Sequence, residues 1–525
     1  MKPELKGLKV QTTVQETRAM DATVEEDVAL EKLGYQQELK RNFGLLGMIG
    51  FSFSIVTCWS ALSGVFIIGV QSGGPPVMIW SWVGVCIVSL SVAYSLAEMC
   101  SAYPTAGGQY SWVAILAPPR LARGMSYICG WFMLIGILAM GAVNNFIMSN
   151  FILGMANLSF PSYTIERWHT VLVAYLLAVI NVFVNLSGPG LLNRISRVNL
   201  FVNIAAFLII VTVILVCNDH KQSPSFVFTD FQNYTGFNPA YTAIIGILQS
   251  CFGMCCYDAP SKMTEEMLQP RKHAPQAIVL SVWMGSITGF IFLIAVCFCI
   301  GDIETTATSS TGVPILQIFY DSTRSVPGAC VLASLIVFTF LVCAMMLLAE
   351  GSRAVFAFAR DQGLPFSGTL SKVHGKTKVP VYALVTAAVA QMALNSIYFG
   401  TITGFNTVIS IATEGFYVSY ALPLVSLLLS RCTSSRPPLD GPYSLGRWGL
   451  PLNLIGFVFL LFSTITFNFP SLAPVTSENM NYTSAAIGLI MLIAAVTWIT
   501  TGRKNFTGPM VRERSDSEKT LTRGD

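Results

Sequence analysis

Twelve apolar stretches near or above the 18 or so residues needed to cross about 30 Å of hydrocarbon recur along this chain of 525 residues. They fall near 43–70, 76–101, 122–153, 169–187, 196–217, 240–258, 276–300, 328–352, 381–398, 403–429, 450–468 and 483–501. A water-soluble fold has no interior large enough for twelve such segments. Charge points the same way. Lys, Arg, Asp and Glu make up 11% of the residues, against roughly 25% in a soluble domain. Of these 58 charges, 25 lie within residues 1–41 and 503–525. The remainder cannot coat a water-facing surface, and a net charge of +4 without a basic stripe does not suit a nucleic-acid binder. Soluble enzymes and disordered regulators are excluded with it. The pattern predicts an all-α integral membrane protein of twelve transmembrane helices in the lipid bilayer. Its parts are an N-terminal tail (1–42), a twelve-helix domain (43–502) and a C-terminal tail (503–525).

Residues 1–41 are polar and hold no short apolar core with a cleavage site, so the first span is expected to begin insertion. Lys and Arg are retained on the cytoplasmic side of membranes. With twelve spans and both tails on one side, that side collects 28 of the 31 basic residues, leaving only Arg167, Lys221 and Arg324 opposite. Both termini are therefore expected in the cytoplasm. The sequons at Asn157, Asn233 and Asn481 then face outward and are open to glycosylation. The cysteines sit mostly inside apolar runs without a Cys-x-x-Cys pair, which reads as packing rather than metal or disulfide chemistry. None of the four histidines lies centrally in an apolar run. No cofactor or metal site is expected, nor a nucleotide-driven step, since no Gly-x-x-x-x-Gly-Lys-Ser/Thr loop is present. Membrane enzymes that work through histidine clusters are not expected, and the chain is not expected to be an enzyme.

Two spans carry residues that interrupt a helix. The first holds Gly44, Gly47, Gly50 and Ser52-Phe53-Ser54. The sixth holds Gly246, Gly253 and Asp258-Ala259-Pro260. Glycine costs a helix about 1 kcal/mol relative to alanine and proline about 3. Such residues in register in spans one and six mark inverted repeats with broken helices, whose freed N–H and C=O groups suit a polar substrate. Close packing through small residues is the competing reading.

The residues also carry a resemblance. Ala97-Glu-Met-Cys-Ser-Ala-Tyr-Pro-Thr-Ala-Gly-Gly-Gln-Tyr110 is similar to the signature after the second span of the amino acid-polyamine-organocation superfamily. Ser352-Arg353 with Ala357-Phe-Ala-Arg-Asp-Gln-Gly-Leu-Pro-Phe366 resembles the segment after its eighth. Asp258 with Met263-Thr-Glu-Glu-Met267 and Pro270-Arg271 resembles the end of its sixth span, and Ser419-Tyr-Ala-Leu-Pro423 its tenth. Ser72-Gly-Gly-Pro75 and Gly312-Val-Pro314 look most like the fungal amino acid/choline branch, with permeases for choline, GABA and related amines. The resemblance implies a LeuT-type fold of five plus five inverted spans, two peripheral spans, and a central site between breaks in spans one and six. At the first break it places Gly50-Phe51-Ser52, with serine where the family pattern most often has its next glycine. Some relatives couple protons through a lysine in the fifth span, and Ile195–Cys217 has none.

The candidate substrate-binding residues are therefore Gly50, Phe51, Ser52, Phe53 and Ser54 at the first break and Phe252, Gly253, Met254 and Tyr257 at the second. Trp59, Tyr257 and the phenylalanines near the breaks suit an ammonium by cation–π contact. Asp258, Glu414 and Glu98 are candidates for coupling or gating, because intramembrane charge is costly and must face the interior with a partner. Asp258 is expected to meet a substrate ammonium or to cap the following turn. Glu98 is expected either to contact Thr105 or Gln109 or to gate. Glu350 is expected in a surface ion pair near Arg353. Thr403, Asn406, Thr407, Ser410, Thr413, Glu414, Tyr417 and Tyr420 recur at three- and four-residue steps on one helical face, which either glues helices together or lines a hydrated path with Glu414 as a proton or cation site. The expected function is secondary-active, proton-coupled symport of an amino acid, choline, GABA or related amine by alternating access, most naturally at the plasma membrane. A nutrient receptor on the same fold and an export or compartment permease for a specialised metabolite stand as alternatives. Nothing in the sequence sets the oligomeric state.

Overall fold

The computed structural model describes residues 26–28, 30–307, 309–431, 439–477, 479–506 and 508. Among them, eleven helices are long and apolar enough to cross a membrane. They are span one (Leu45–Gly64), two (Gly74–Ala102), three (Pro119–Ser159), four (Arg167–Leu186), five (Pro189–Cys217), seven (Pro270–Cys299), eight (Val326–Arg360), nine (Val381–Gly400), ten (Asn406–Arg431), eleven (Gly446–Thr466) and twelve (Thr483–Asn505). The sixth expected span is a helix over Pro239–Gly253, an unwound stretch, and a short helix over Ala259–Lys262. The sequence expectation of an all-α membrane protein therefore stands. The tails' residues 1–25 and 509–525 lie outside the described residues, as does the side chain of Thr403.

Helix starts follow local chemistry. Proline opens spans three, five, six and seven, where its missing N–H is no loss and its fixed φ fits the first turn. Asn238 and Ser325 cap spans six and eight by accepting from the N–H groups of Tyr241 and Gly328, as short polar side chains do.

Span one and span three are central, with 78% of their most apolar windows buried within the protein, whereas span twelve is at the rim with 11%. The rim spans turn large apolar residues outward, such as Phe201 and Val216 on span five and Leu492 and Ile499 on span twelve. Spans three and ten meet backbone to backbone at Gly136 and Gly415, where a Cβ on Gly415 would lie 2.7 Å from the Gly136 Cα. Small residues allow this approach, and dispersion then holds helices that lipid would otherwise separate no less comfortably. Two bridges tie spans one and six together at opposite ends. Ser72–Gly73 pairs antiparallel with Gln232–Asn233, and Phe43 pairs with Met267.

Span one does break, but not at its glycines. Helix runs without interruption through Gly50–Ser54 to Ile55, opens at Val56 and Thr57, and resumes at Cys58. The expected break at Gly50-Phe51-Ser52 is thus corrected by one to two turns. Gly47 and Gly50 serve close packing against span five, since a Cβ on Gly50 would lie 2.4 Å from the Ser196 carbonyl oxygen. The true break is held by hydroxyls and amides instead. Thr57 Oγ1 and Ser60 Oγ are 2.9 Å apart, and Asn203 Nδ2 of span five donates to Thr57 Oγ1 at 3.1 Å. Asn199 donates to Ser54 Oγ, which donates in turn to the Gly50 carbonyl. Span six opens where expected, after Gly253, and Cys256 sits at φ 63°. That left-handed conformation costs about 1–2 kcal/mol for an L-residue.

Candidate functional site: a cavity between two broken helices and the gate beneath it

The two breaks face each other. Cys58 Sγ lies 4.0 Å from Met254 Sδ, and the Ile55 carbonyl at the end of the first half-helix accepts from Cys343 Sγ of span eight at 3.7 Å. Between them lies a cavity with about 410 Å³ of empty space, mouth included, lined by Ile55, Thr57 and Ala61 of span one, Met140, Asn144 and Ile147 of span three, Phe252, Gly253, Cys255 and Cys256 of span six, and Phe340, Cys343 and Leu347 of span eight. No ionised side chain is among them. The polar groups on offer are Thr57, Asn144, the thiols, and backbone at the two breaks. Asn144 Nδ2 already donates to the Phe340 carbonyl at 2.9 Å.

Of the nine expected substrate-binding residues, the cavity wall includes Phe252 and Gly253. Met254 lies at the start of the break, against Cys58. Gly50, Phe51, Ser52, Phe53 and Ser54 are buried in the helix below the break, and Phe51 packs edge-on to Phe43 at 5.7 Å. Trp59 is packing too, seated against Phe207 and Phe292 with its indole N–H on Asn203. Tyr257 is fully buried, its ring 5.0 Å from that of Tyr420. Sequence reasoning missed Thr57 and Asn144. Neither stood out in sequence, since Thr57 lies among Ser54, Ser60 and Ser63, and Asn144 beside Asn145 and Ser149.

Asp258 is not free to meet a substrate. Its carboxylate accepts from Lys262 Nζ, from Tyr420 of span ten and from Gln109 Nε2, and the Gln109 Oε1 accepts from Lys262 in turn. It makes no side-chain cap on the following turn either. Lys262, counted by sequence among the basic residues of the inner side, is fully buried in this network. The polar stripe on span ten turns partly toward span six. Tyr420 reaches Asp258, and Tyr417 donates to the Cys251 carbonyl at 3.2 Å. Glu414 faces elsewhere, accepting from Asn468 beyond span eleven at 3.1 and 3.2 Å. Asn406 is exposed.

Below this lies a denser layer of ion pairs built from the resemblance motifs. Arg353 Nε donates to Glu266 Oε1 at 2.7 Å with both side chains buried. Arg360 makes a two-pronged pair with Glu265 at 2.8 and 3.0 Å. Its guanidinium also stacks 4.1 Å from the centre of the Tyr35 ring. Tyr35 and Tyr110 both donate to Asp361 Oδ2 at 2.8 Å. Burial pushes the Asp361 carboxyl above its ordinary range, while Arg360 and the two tyrosines pull it back. Residues 30–43 are part of this layer: Leu30, Leu33, Tyr35 and Leu39 are buried, and the N–H groups of Asn42 and Phe43 donate to the Glu266 carbonyl. Glu98 hydrogen-bonds neither Thr105 nor Gln109. It accepts from the Leu445 N–H at 2.8 Å and holds the segment before span eleven. Glu350 is not in a surface pair: it is fully buried, and neither carboxylate oxygen has a hydrogen-bond partner among the described residues.

A cavity at the meeting point of two broken helices, with a layer of buried ion pairs beneath it in a bundle of membrane-length apolar helices, suits a transport protein. The amino acid permease family model matches residues 43–495, and the chain belongs to that family. A Macrophomina phaseolina protein provisionally named an amino acid/polyamine transporter is 68% identical over 440 residues, covering 84% of this chain and 97% of its own. The choline transporter of Saccharomyces cerevisiae is 31% identical, covering 91% and 85%. An amino-acid permease of Arabidopsis thaliana is 28% identical, covering 92% and 96%. The chain is accordingly a transporter of amino acids or related amines, and Ala97–Tyr110, Met263–Met267 and Ser352–Phe366, which carried the resemblance, contribute to the layer of ion pairs and hydrogen bonds rather than to the cavity wall.

Proposed function

We propose that this protein is a proton-coupled, secondary-active carrier that moves a small solute of no net charge by alternating access, with the solute held between Val56–Thr57 and Met254–Cys256. The observation that carries this is the cavity itself. It joins two facing half-helix ends, whose N–H and C=O groups suit a carboxylate and an ammonium, and its wall offers no side-chain carboxylate for a polyamine. A zwitterionic amino acid or ω-amino acid fits this chemistry better than a polyamine. Choline, a cation, would depend on Phe252 and Phe340 for cation–π contact. The five-plus-five inverted architecture, cytoplasmic termini and a plasma-membrane location complete the reading. In it, residues 43–502 form the carrier and the layer from Tyr35 to Asp361 is the closed inner gate. The test is uptake of radiolabelled leucine, γ-aminobutyrate, choline and spermidine into proteoliposomes with and without an inward proton gradient. The expected result is gradient-stimulated flux of a zwitterion. Flux of spermidine alone, or of none, overturns the reading.

A further inference from the structure

Glu350 is the one carboxylate at this depth that no described group hydrogen-bonds. It sits on span eight at the step 343, 347, 350, so it continues the face on which Cys343 and Leu347 line the cavity and lies about one turn beneath Leu347 and two beneath Cys343. The short helix beyond the break in span six packs against span eight, and its Lys262 is the positive charge whose field reaches Glu350. Cys256 of the unwound stretch, Cys343 of its own helix and Tyr420 of span ten are the other titratable groups that feel it. Cys129 and Cys100 face Lys262 from spans three and two. Arg353, one turn along the same helix, is engaged by Glu266.

Charge counting decides what this cluster holds. Asp258, Lys262 and Glu350 are all fully buried. If all three were ionised, one negative charge would stand uncompensated, which is expensive in a low-dielectric interior. Lys262 Nζ is directed to Asp258 Oδ2 and Gln109 Oε1 and makes no hydrogen bond to Glu350. One lysine therefore satisfies one carboxylate, and the other has to be neutralised by something else.

We propose that Glu350 carries the coupling proton, and that Lys262 exchanges between Asp258 and Glu350 as the inner gate opens. With the gate closed, Lys262 pairs with Asp258, and Glu350 takes up a proton that arrives through the cavity. When span six and the gate layer separate, water from the inner side reaches and solvates Asp258, and Lys262 leaves it and pairs with Glu350. The O–H bond of Glu350 breaks and its proton leaves to the inner side. The assignment rests on the proton-coupled reading above and gives the coupling role to Glu350 in place of Glu414.

Purified protein in liposomes with an internal pH dye tests it, using whichever of the four probe solutes named above the unmodified protein carries. A one-unit pH gradient drives about tenfold accumulation per proton, about 1.4 kcal/mol. Glu350→Gln has the shape of the protonated acid. It is expected to keep solute exchange while abolishing solute-evoked proton uptake, the tenfold accumulation and the pH dependence of the exchange rate. Glu350→Asp should retain coupling with a displaced pH profile, which a merely structural role would not produce. If Glu350→Gln still takes up protons with solute, the assignment fails while the carrier reading survives. If the unmodified protein takes up solute without protons, coupling fails as a whole and this assignment with it.

Discussion

Removing one half of the Arg353–Glu266 pair measures how deeply the gate is buried. Both side chains are fully buried, and deleting one member of such a pair leaves a lone charge that costs about 3–5 kcal/mol. The lower end applies here, because Arg353 Nη2 and Glu266 Oε2 have no hydrogen-bond partner among the described residues and the pair rests on a single 2.7 Å contact. Arg353→Met should therefore cost about 3 kcal/mol, roughly a hundredfold in the unfolding equilibrium. Glu266→Leu should cost a similar amount. The double variant removes both charges and should recover most of the loss, since apolar replacement of a buried pair is often neutral or better. The assay is the unfolding midpoint in a mixed-micelle titration, taken around the full cycle of single and double variants. Single-variant losses below about 1 kcal/mol, the range of exposed pairs, would refute the reasoning, as would a double variant no better than the sum of the singles.

Gly415→Ala places a Cβ 2.7 Å from the Gly136 backbone and should cost about 1–3 kcal/mol by overpacking. Gly84→Ala, with open space around it, should be neutral or stabilising in the same titration. Tyr35→Phe removes one donor from Asp361. Because the Asp361 carboxyl is raised by burial, the folded state binds its proton more tightly than the unfolded chain, and stability falls as pH rises from about 3.9 through the raised value. Losing Tyr35 weakens the ionised form further, so its cost, about 1–3 kcal/mol, should be larger at pH 7 than at pH 4; an equal cost at both would count against the contact. Cys255, Cys256 and Cys343 line the cavity, so a small methanethiosulfonate reagent should inhibit transport, with a transported solute slowing the reaction and alanine at the three positions abolishing it.

Sequence alone determined the membrane class, the positions of the spans and the existence of breaks in the first and sixth. Each depends on hydropathy over some 18 residues or on intrinsic helix cost, both local properties. It also singled out Asp258, Gly253 and Phe252, because a glycine and a proline close together fix the sixth break. It misplaced the first break because a glycine has two uses. Gly50 reads as a helix breaker until Ser196 is seen against it, and Thr57 reads as an ordinary residue until Asn203 of span five holds it open. Carboxylate partners were likewise out of reach. Asp258 meets Gln109, 149 residues away, and Tyr420, 162 residues away, while Glu350, Glu98 and Glu414 differ only in which neighbours the packing brings to them. Tertiary structure decided those pairings, because an intramembrane charge takes its role from its depth and from whichever partner the packing brings within hydrogen-bond reach.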